Sequence, residues 1–167
     1  SDVHLLINNA GALANASVLD GDEDMLRRDM EVNYFGTLSV TRAFVPVIQA
    51  NGGGGIASIS SIVGLAPIAG IGGYSASKAA LFSAIQAMRA ELKPMNIAVF
   101  GIFPGPIDTD MARGFEMTKA TPESTAENIV GGIISGKEDI FPDPMSVEVG
   151  KTWSHNPKEL ERQFASM

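Results

Sequence analysis

Apolar residues along this chain fall into short runs separated by longer stretches of helical spacing. The run VHLLI (residues 3–7) stops at NNAG, and IAVFGIF (97–103) stops at PGP. Short apolar runs closed by turn residues suit strands buried on both faces of a sheet. IASISS (56–61) alternates and reads as another strand, and Ile140-Phe141 as a short last one. Residues 22–50 carry Met25, Met30, Val32, Phe35, Leu38, Val40, Phe44, Val47 and Ile48 at roughly helical spacing. Asp20 and Asp22 are N-cap candidates there, and Pro46 is a source of a kink. Residues 74–93 read as a helix ended by Pro94. Residues 121–136 read as one that opens on Thr121-Pro122, and PKELERQFASM (157–167) as a short terminal one. NGGGG (51–55), the Gly/Pro-broken 64–73 and the polar, mobile 106–120 are loops. This alternation predicts a parallel sheet flanked by helices on both faces, an α/β doubly wound, Rossmann-like architecture. No linker or repeat interrupts it, so one domain is expected over residues 1–167.

Charge and composition narrow the classes. A net charge of −7 opposes a nucleic-acid partner, which needs a basic face. No window reaches the ~18 apolar residues of a membrane span, and no charged-then-apolar leader opens the chain. Cysteine is absent, which removes disulfides and thiolate chemistry and fits a reducing, cytoplasmic setting. The two histidines, His4 and His155, stand far apart, so no metal site is expected.

The chemistry concentrates at GGYSASK (72–78). Tyr74 and Lys78 are i and i+4 on a helix, neighbours on one face. A nearby ammonium and the helix N-terminus both favour the phenolate and lower the tyrosine pKa from about 10. That makes Tyr74 a candidate proton donor and acceptor. An exposed Tyr-Lys pair on a helix is usually inert, so its company matters. Ser61 ends a strand 13 residues earlier, with Ser60 as its local competitor. Asn33 sits inside a helix, an awkward place for asparagine. NNAG (8–11) and PGPIDT (104–109) follow two further strands. In parallel sheets the carboxyl ends of strands face the ligand crevice.

In order and spacing, NNAG, the Asn33 helix, SS before YSASK, and PGPIDT resemble the short-chain dehydrogenase/reductase family. The resemblance runs from Asp2 to about Phe141. It implies a hydride transfer between NAD or NADP and a secondary alcohol or ketone. Tyr74 would be the general acid/base, and Lys78 would lower its pKa and hold the nicotinamide ribose. Ser61 would orient the substrate oxygen, and Asn33 would help hold a water of the relay. Asn8, Ala10 and Gly11 would line the ribose side. Pro104, Gly105, Ile107 and Thr109 would border the nicotinamide. Family members usually form homo-dimers or homo-tetramers through their two long helices, here around residues 37–50 and 79–92.

The departure from that pattern is the opening unit. The family begins with a strand, a glycine-rich phosphate loop and a helix, then two more strands, and the chain shows none of these. NGGGGIA enters a strand, and AGIGGYS lacks G-x-G-x-x-G and a preceding strand. Without a first strand, the edge of VHLLI is left bare and apolar, which invites pairing. Either an upstream segment or another chain is expected there. Two alternatives stay open: a non-catalytic half-domain or scaffold, and a serine acyl hydrolase using Ser75-x-x-Lys78. The hydrolase also needs S-D-N and K-T-G elements, which the sequence lacks.

Overall fold

The computed structural model describes residues 2–167. Four parallel strands, β1 (Leu5–Asn8), β2 (Gly54–Ile59), β3 (Ile97–Ile102) and β4 (Asp139–Ile140), stand in the order β1-β2-β3-β4. Leu6 lies opposite Ile56, Ile56 opposite Val99, and Ile102 opposite Ile140, so all carboxyl ends line one edge. Helices α1 (Glu23–Met30) and α2 (Thr37–Ala50), joined by a π-helical turn (Glu31–Gly36), connect β1 to β2. Helix α3 (Gly72–Leu92) connects β2 to β3, α4 (Pro122–Ile134) connects β3 to β4, and α5 (Pro144–His155) and α6 (Pro157–Ala165) follow.

Local chemistry accounts for the boundaries. Asp22, not Asp20, caps α1 by accepting from the amides of Asp24 and Met25. Thr121 accepts from Ser124 N at 3.2 Å, with Pro122 in the first turn. Helix α2 runs on through Pro46, whose missing N–H leaves the Arg42 carbonyl without its helical donor. Helix α5 was not expected from sequence; a capping box between Asp143 and Ser146 starts it.

The pleat sorts the core into two faces. Ile56, Ile97 and Val99 meet Ile48 of α2 and Leu81, Ile85 and Met88 of α3. Ala57, Phe100, Ile102 and Ile140 turn the other way, against Ile129 and Ile133 of α4. Each such side chain, fully buried, is worth about 1.5–3 kcal/mol. Above the carboxyl ends, Ile62, Val63 and Phe103 pack with Val149, Leu160 and Phe164 of α5 and α6. Strand β1 corrects the expectation of burial on both faces. Leu6 reaches the α2/α3 side, but Leu5 and Ile7 are 43% and 47% exposed, because α4 packs over β3 and β4 and does not reach β1. Among the described residues, no helix is long and apolar enough to cross a membrane.

Candidate active site

The head of α3 is buried because two glycines admit close neighbours. A Cβ at Gly72 would lie 2.4 Å from Val18 Cγ2, and one at Gly73 would lie 2.4 Å from Leu26 Cδ2. The loop before α1 and α1 itself therefore close on α3, leaving Tyr74 and Lys78 only 8% and 3% exposed. Lys78 Nζ sits 5.6 Å from the Tyr74 ring centroid and donates to Ile59 O at 2.8 Å. Ser61, just past β2, donates its hydroxyl to Pro104 O at 3.4 Å. Its Oγ also accepts from Val63 N at 3.3 Å, capping the short turn Ile62–Gly64. Ser60 turns away and donates to Lys78 O at 3.1 Å, a bracing role.

Electrostatics depart from the sequence expectation. Burial pushes the Tyr74 phenol up to about 12; the Ser61 hydroxyl pulls it down, and the charge of Asp29 pushes it further up. Desolvation, rather than Lys78, thus sets its ionisation, and the phenol is protonated at neutral pH. Burial pushes Lys78 down to about 8, opposed by Asp29. The i, i+4 spacing gives the pair its proximity, but not the depth at which the helix head lies.

Asn33 is fully buried at the π-helical turn, a feature frequent at functional sites. Its Oδ1 accepts from Ala12 N at 2.9 Å, and its Nδ2 donates to Ala12 O at 2.8 Å and to Ser77 Oγ at 2.9 Å. Both amide protons are thereby used within the chain. The side chain ties the loop after β1 to α3. Asn8 Nδ2 donates to Thr41 Oγ1 at 3.0 Å and Ser58 Oγ at 3.2 Å, bracing β1 against α2 and β2. Ala10 and Gly11 are exposed. A Cβ on Gly11 would lie 3.3 Å from Asn33 Oδ1 and 3.6 Å from Lys78 Nζ, so the bare backbone there roofs the lysine.

Pro104, Gly105 and Ile107 are half-buried beyond β3, and Thr109 is exposed. Gly105 N donates to Asp143 Oδ2 at 2.8 Å, which ties this loop to the start of α5. The segment beyond it is anchored by Asp108 N donating to Ala120 O at 2.9 Å and Ala120 N donating to Pro106 O at 3.0 Å. The acyl-hydrolase pairing gains nothing. Ser75 Oγ donates to Ile71 O at 3.0 Å, while Lys78 turns to Ile59. A wide cavity of about 900 Å³ lies between α4, β4 and α5, lined by Phe141, Val147 and Trp153, away from Tyr74.

Two residues escaped the sequence reading. Asp143 was signalled by its own capping-box spacing to Ser146. Asp29, fully buried in α1, accepts from Ala14 N with both carboxylate oxygens, at 3.0 and 3.3 Å. Nothing local distinguishes it from the solvated acids around it.

The family model described as short chain dehydrogenase matches residues 1–120. The chain belongs to the short-chain dehydrogenase family. Among curated relatives, it is 40% identical over 110 residues to dehydrogenase/reductase SDR family member 7B of Mus musculus, covering 66% of this chain and 34% of that protein. It is 31% identical to the SDR family protein 7-like of Drosophila melanogaster, covering 93% of this chain and 52% of the other. The chain thus spans about half the length, or less, of these relatives. A crystal structure of a short chain dehydrogenase from Burkholderia cenocepacia in complex with NADP superposes with a TM-score of 0.92 at 34% identity, covering 97% of this chain and 68% of that one.

The residues of this short-chain dehydrogenase chain fit one end of a nicotinamide cofactor. Lys78 gives one of its three ammonium protons to Ile59 O, leaving two for ligand hydroxyls beneath the open backbone of Gly11. They do not fit the other end, because no strand-to-helix G-x-G-x-x-G is present to receive a pyrophosphate.

Proposed function

We propose that this chain carries the proton-transfer half of an NAD- or NADP-dependent oxidoreductase acting on a secondary alcohol or ketone. The observation that carries this reading is the buried Tyr74 with the Lys78 ammonium 5.6 Å from its ring, beside Ser61 at the carboxyl ends of β2 and β3.

A bound nicotinamide cofactor supplies or accepts the hydride, and the chain does the rest. A phenol held protonated at neutral pH is in the correct state to donate to a carbonyl oxygen as it gains negative charge. Ser61 stands at the end of β2 beside Tyr74, so its hydroxyl can orient the substrate oxygen toward the phenol. The Lys78 ammonium stabilises the phenolate left after donation and offers its remaining protons to the cofactor ribose. Asn33 acts by position, fixing Ala12 and Ser77 around the pair. Ala10 and Gly11 on one side and Pro104, Gly105, Ile107 and Thr109 on the other border the nicotinamide. Asn8 supports them from behind. The faces of α2 and α3 around Leu38, Val45 and Met88 fit a homo-dimer or homo-tetramer contact, and a cytoplasmic, one-domain protein is the consistent setting.

The alternative is a non-catalytic half-domain or scaffold that does not bind dinucleotide. Incubation with NADH or NADPH and a panel of ketones separates the two. Cofactor consumption that needs both the ketone and Tyr74 supports the enzyme. No consumption, with no binding of either cofactor by calorimetry, supports the half-domain.

A further inference from the structure

Helix α1 and the π-helical turn that continues it present two buried polar residues, Asp29 and Asn33, that both reach the loop after β1. They grip that loop at three backbone groups. Asn33 takes the N–H and C=O of Ala12, and Asp29 takes the N–H of Ala14 with both oxygens. Asn33 suffices as a neutral clamp, whereas a carboxylate is a costly group to bury for one amide.

The reason for a charge lies across the interface with α3. Lys78 is 3% exposed, and its one hydrogen bond within the chain goes to a neutral carbonyl, Ile59 O. A buried ammonium without a counter-charge sheds its proton. Two carboxylates are buried among the described residues. Asp143 is engaged with the amides of Gly105 and Ser146 at α5. Asp29 is the other, on the helix that packs against the head of α3. We infer that Asp29 is a positioning residue, a buried carboxylate that pins Ala14 and keeps Lys78 charged across the α1–α3 interface. The two side chains make no direct ion pair, since their polar atoms go to Ala14 and Ile59, and the coupling runs through the interior.

The ionisable groups facing Asp29 agree in sign. Lys78 and Tyr74 on α3 are both held more protonated by its charge. In return Lys78, and Arg28 on α1, favour the carboxylate against its own burial. This inference rests on Lys78 being part of the proton-transfer pair, but its test reads protonation and not turnover.

The test is a ¹³C NMR titration of the 167-residue chain carrying lysine labelled at Cε, in the wild type, Asp29→Asn and Asp143→Asn. Asparagine keeps an oxygen for Ala14 N and removes only the charge. Lys78 is expected to titrate near 8 in the wild type, and roughly one unit lower in Asp29→Asn, the scale of one close opposite charge. Asp143→Asn is expected to leave it unmoved. An unchanged midpoint in Asp29→Asn overturns the inference, as does an equal shift in Asp143→Asn. Should Asp29→Asn fail to fold, the reciprocal variant Lys78→Met serves. The Asp29 carboxyl carbon is then expected to titrate higher than in the wild type, and no change overturns the inference. Loss of the Tyr74 assignment would leave these titrations as they are, so the two failures are distinguishable.

Discussion

The two faces of the sheet are finished to different degrees. On one, Ile56 and Val99 lie under α2 and α3, and Ile85 is fully buried. On the other, α4 packs over Phe100 and Ile140, while Leu5 and Ile7 of β1 remain near half exposed. The difference follows the chemistry. The closed face carries the helix that holds Tyr74 and Lys78, with their polar contacts made within the chain. The open flank borders the side where a dinucleotide's phosphates would need a glycine-rich turn, and the chain offers none there. The polar contacts of Tyr74 and Lys78 thus belong to the face that this chain closes by itself.

The largest effect expected is on turnover. Tyr74→Phe removes a hydroxyl and should cut cofactor-dependent ketone reduction by about 10²–10⁴-fold. Stability should change by no more than about 1 kcal/mol, the scale of one hydroxyl's hydrogen bond. Steady-state kinetics and urea unfolding check both arms. Retained turnover would detach the chemistry from the closed face.

Next comes packing on that face. Ile85→Ala, at a fully buried position, is expected to cost about 2–5 kcal/mol. Equal tolerance of Ile85→Ala and Ile7→Ala in urea melts would erase the contrast between the faces.

The buried pair also predicts how stability depends on pH. Lys78 falls from 10.5 to about 8 on folding, so the unfolded chain holds more protons between those values. Its contribution therefore rises with pH from about 8 to 10.5 and is lost as pH falls through 8. Tyr74 rises from 10.0 to about 12, so its contribution is full below 10 and is lost as pH climbs toward 12. Urea midpoints across this range should show the first slope vanish in Lys78→Met and the second in Tyr74→Phe. The smallest effect is expected at Ile7→Thr, within about 0.5 kcal/mol. It should still reduce self-association in sedimentation, because an apolar edge strand invites pairing.

Much of this was legible in the sequence because it is local or repeated along the chain. The strand-helix alternation gave the parallel sheet, Asp22 and Thr121 announced their caps, and NNAG, Ser60-Ser61 and PGPIDT fell at the ends of β1, β2 and β3. What escaped depends on depth and on contacts distant in sequence. Helix α5 hid behind SVEVGKTW, whose alternating valines and Gly150 read weakly as helix. That glycine is needed because a Cβ there would lie 2.9 Å from the Phe141 ring. Asp29 looked like one more surface acid, because only the closure of α1 on α3 buries it. The pKa of Tyr74 went the opposite way from its spacing, since a sequence shows a neighbouring charge but not the desolvation that outweighs it. Asn8 and Asn33 were placed correctly along the chain, yet their amides turn inward.

The proposal that Lys78 and Gly11 receive the nicotinamide end of the cofactor is tested most directly by binding the two halves of the cofactor separately. Amide spectra of the labelled chain are recorded with nicotinamide mononucleotide and, separately, with adenosine diphosphate. Nicotinamide mononucleotide is expected to shift the signals of Gly11, Lys78 and Ile107, and adenosine diphosphate to leave the spectrum unchanged. Shifts with adenosine diphosphate and none with the mononucleotide would contradict the account.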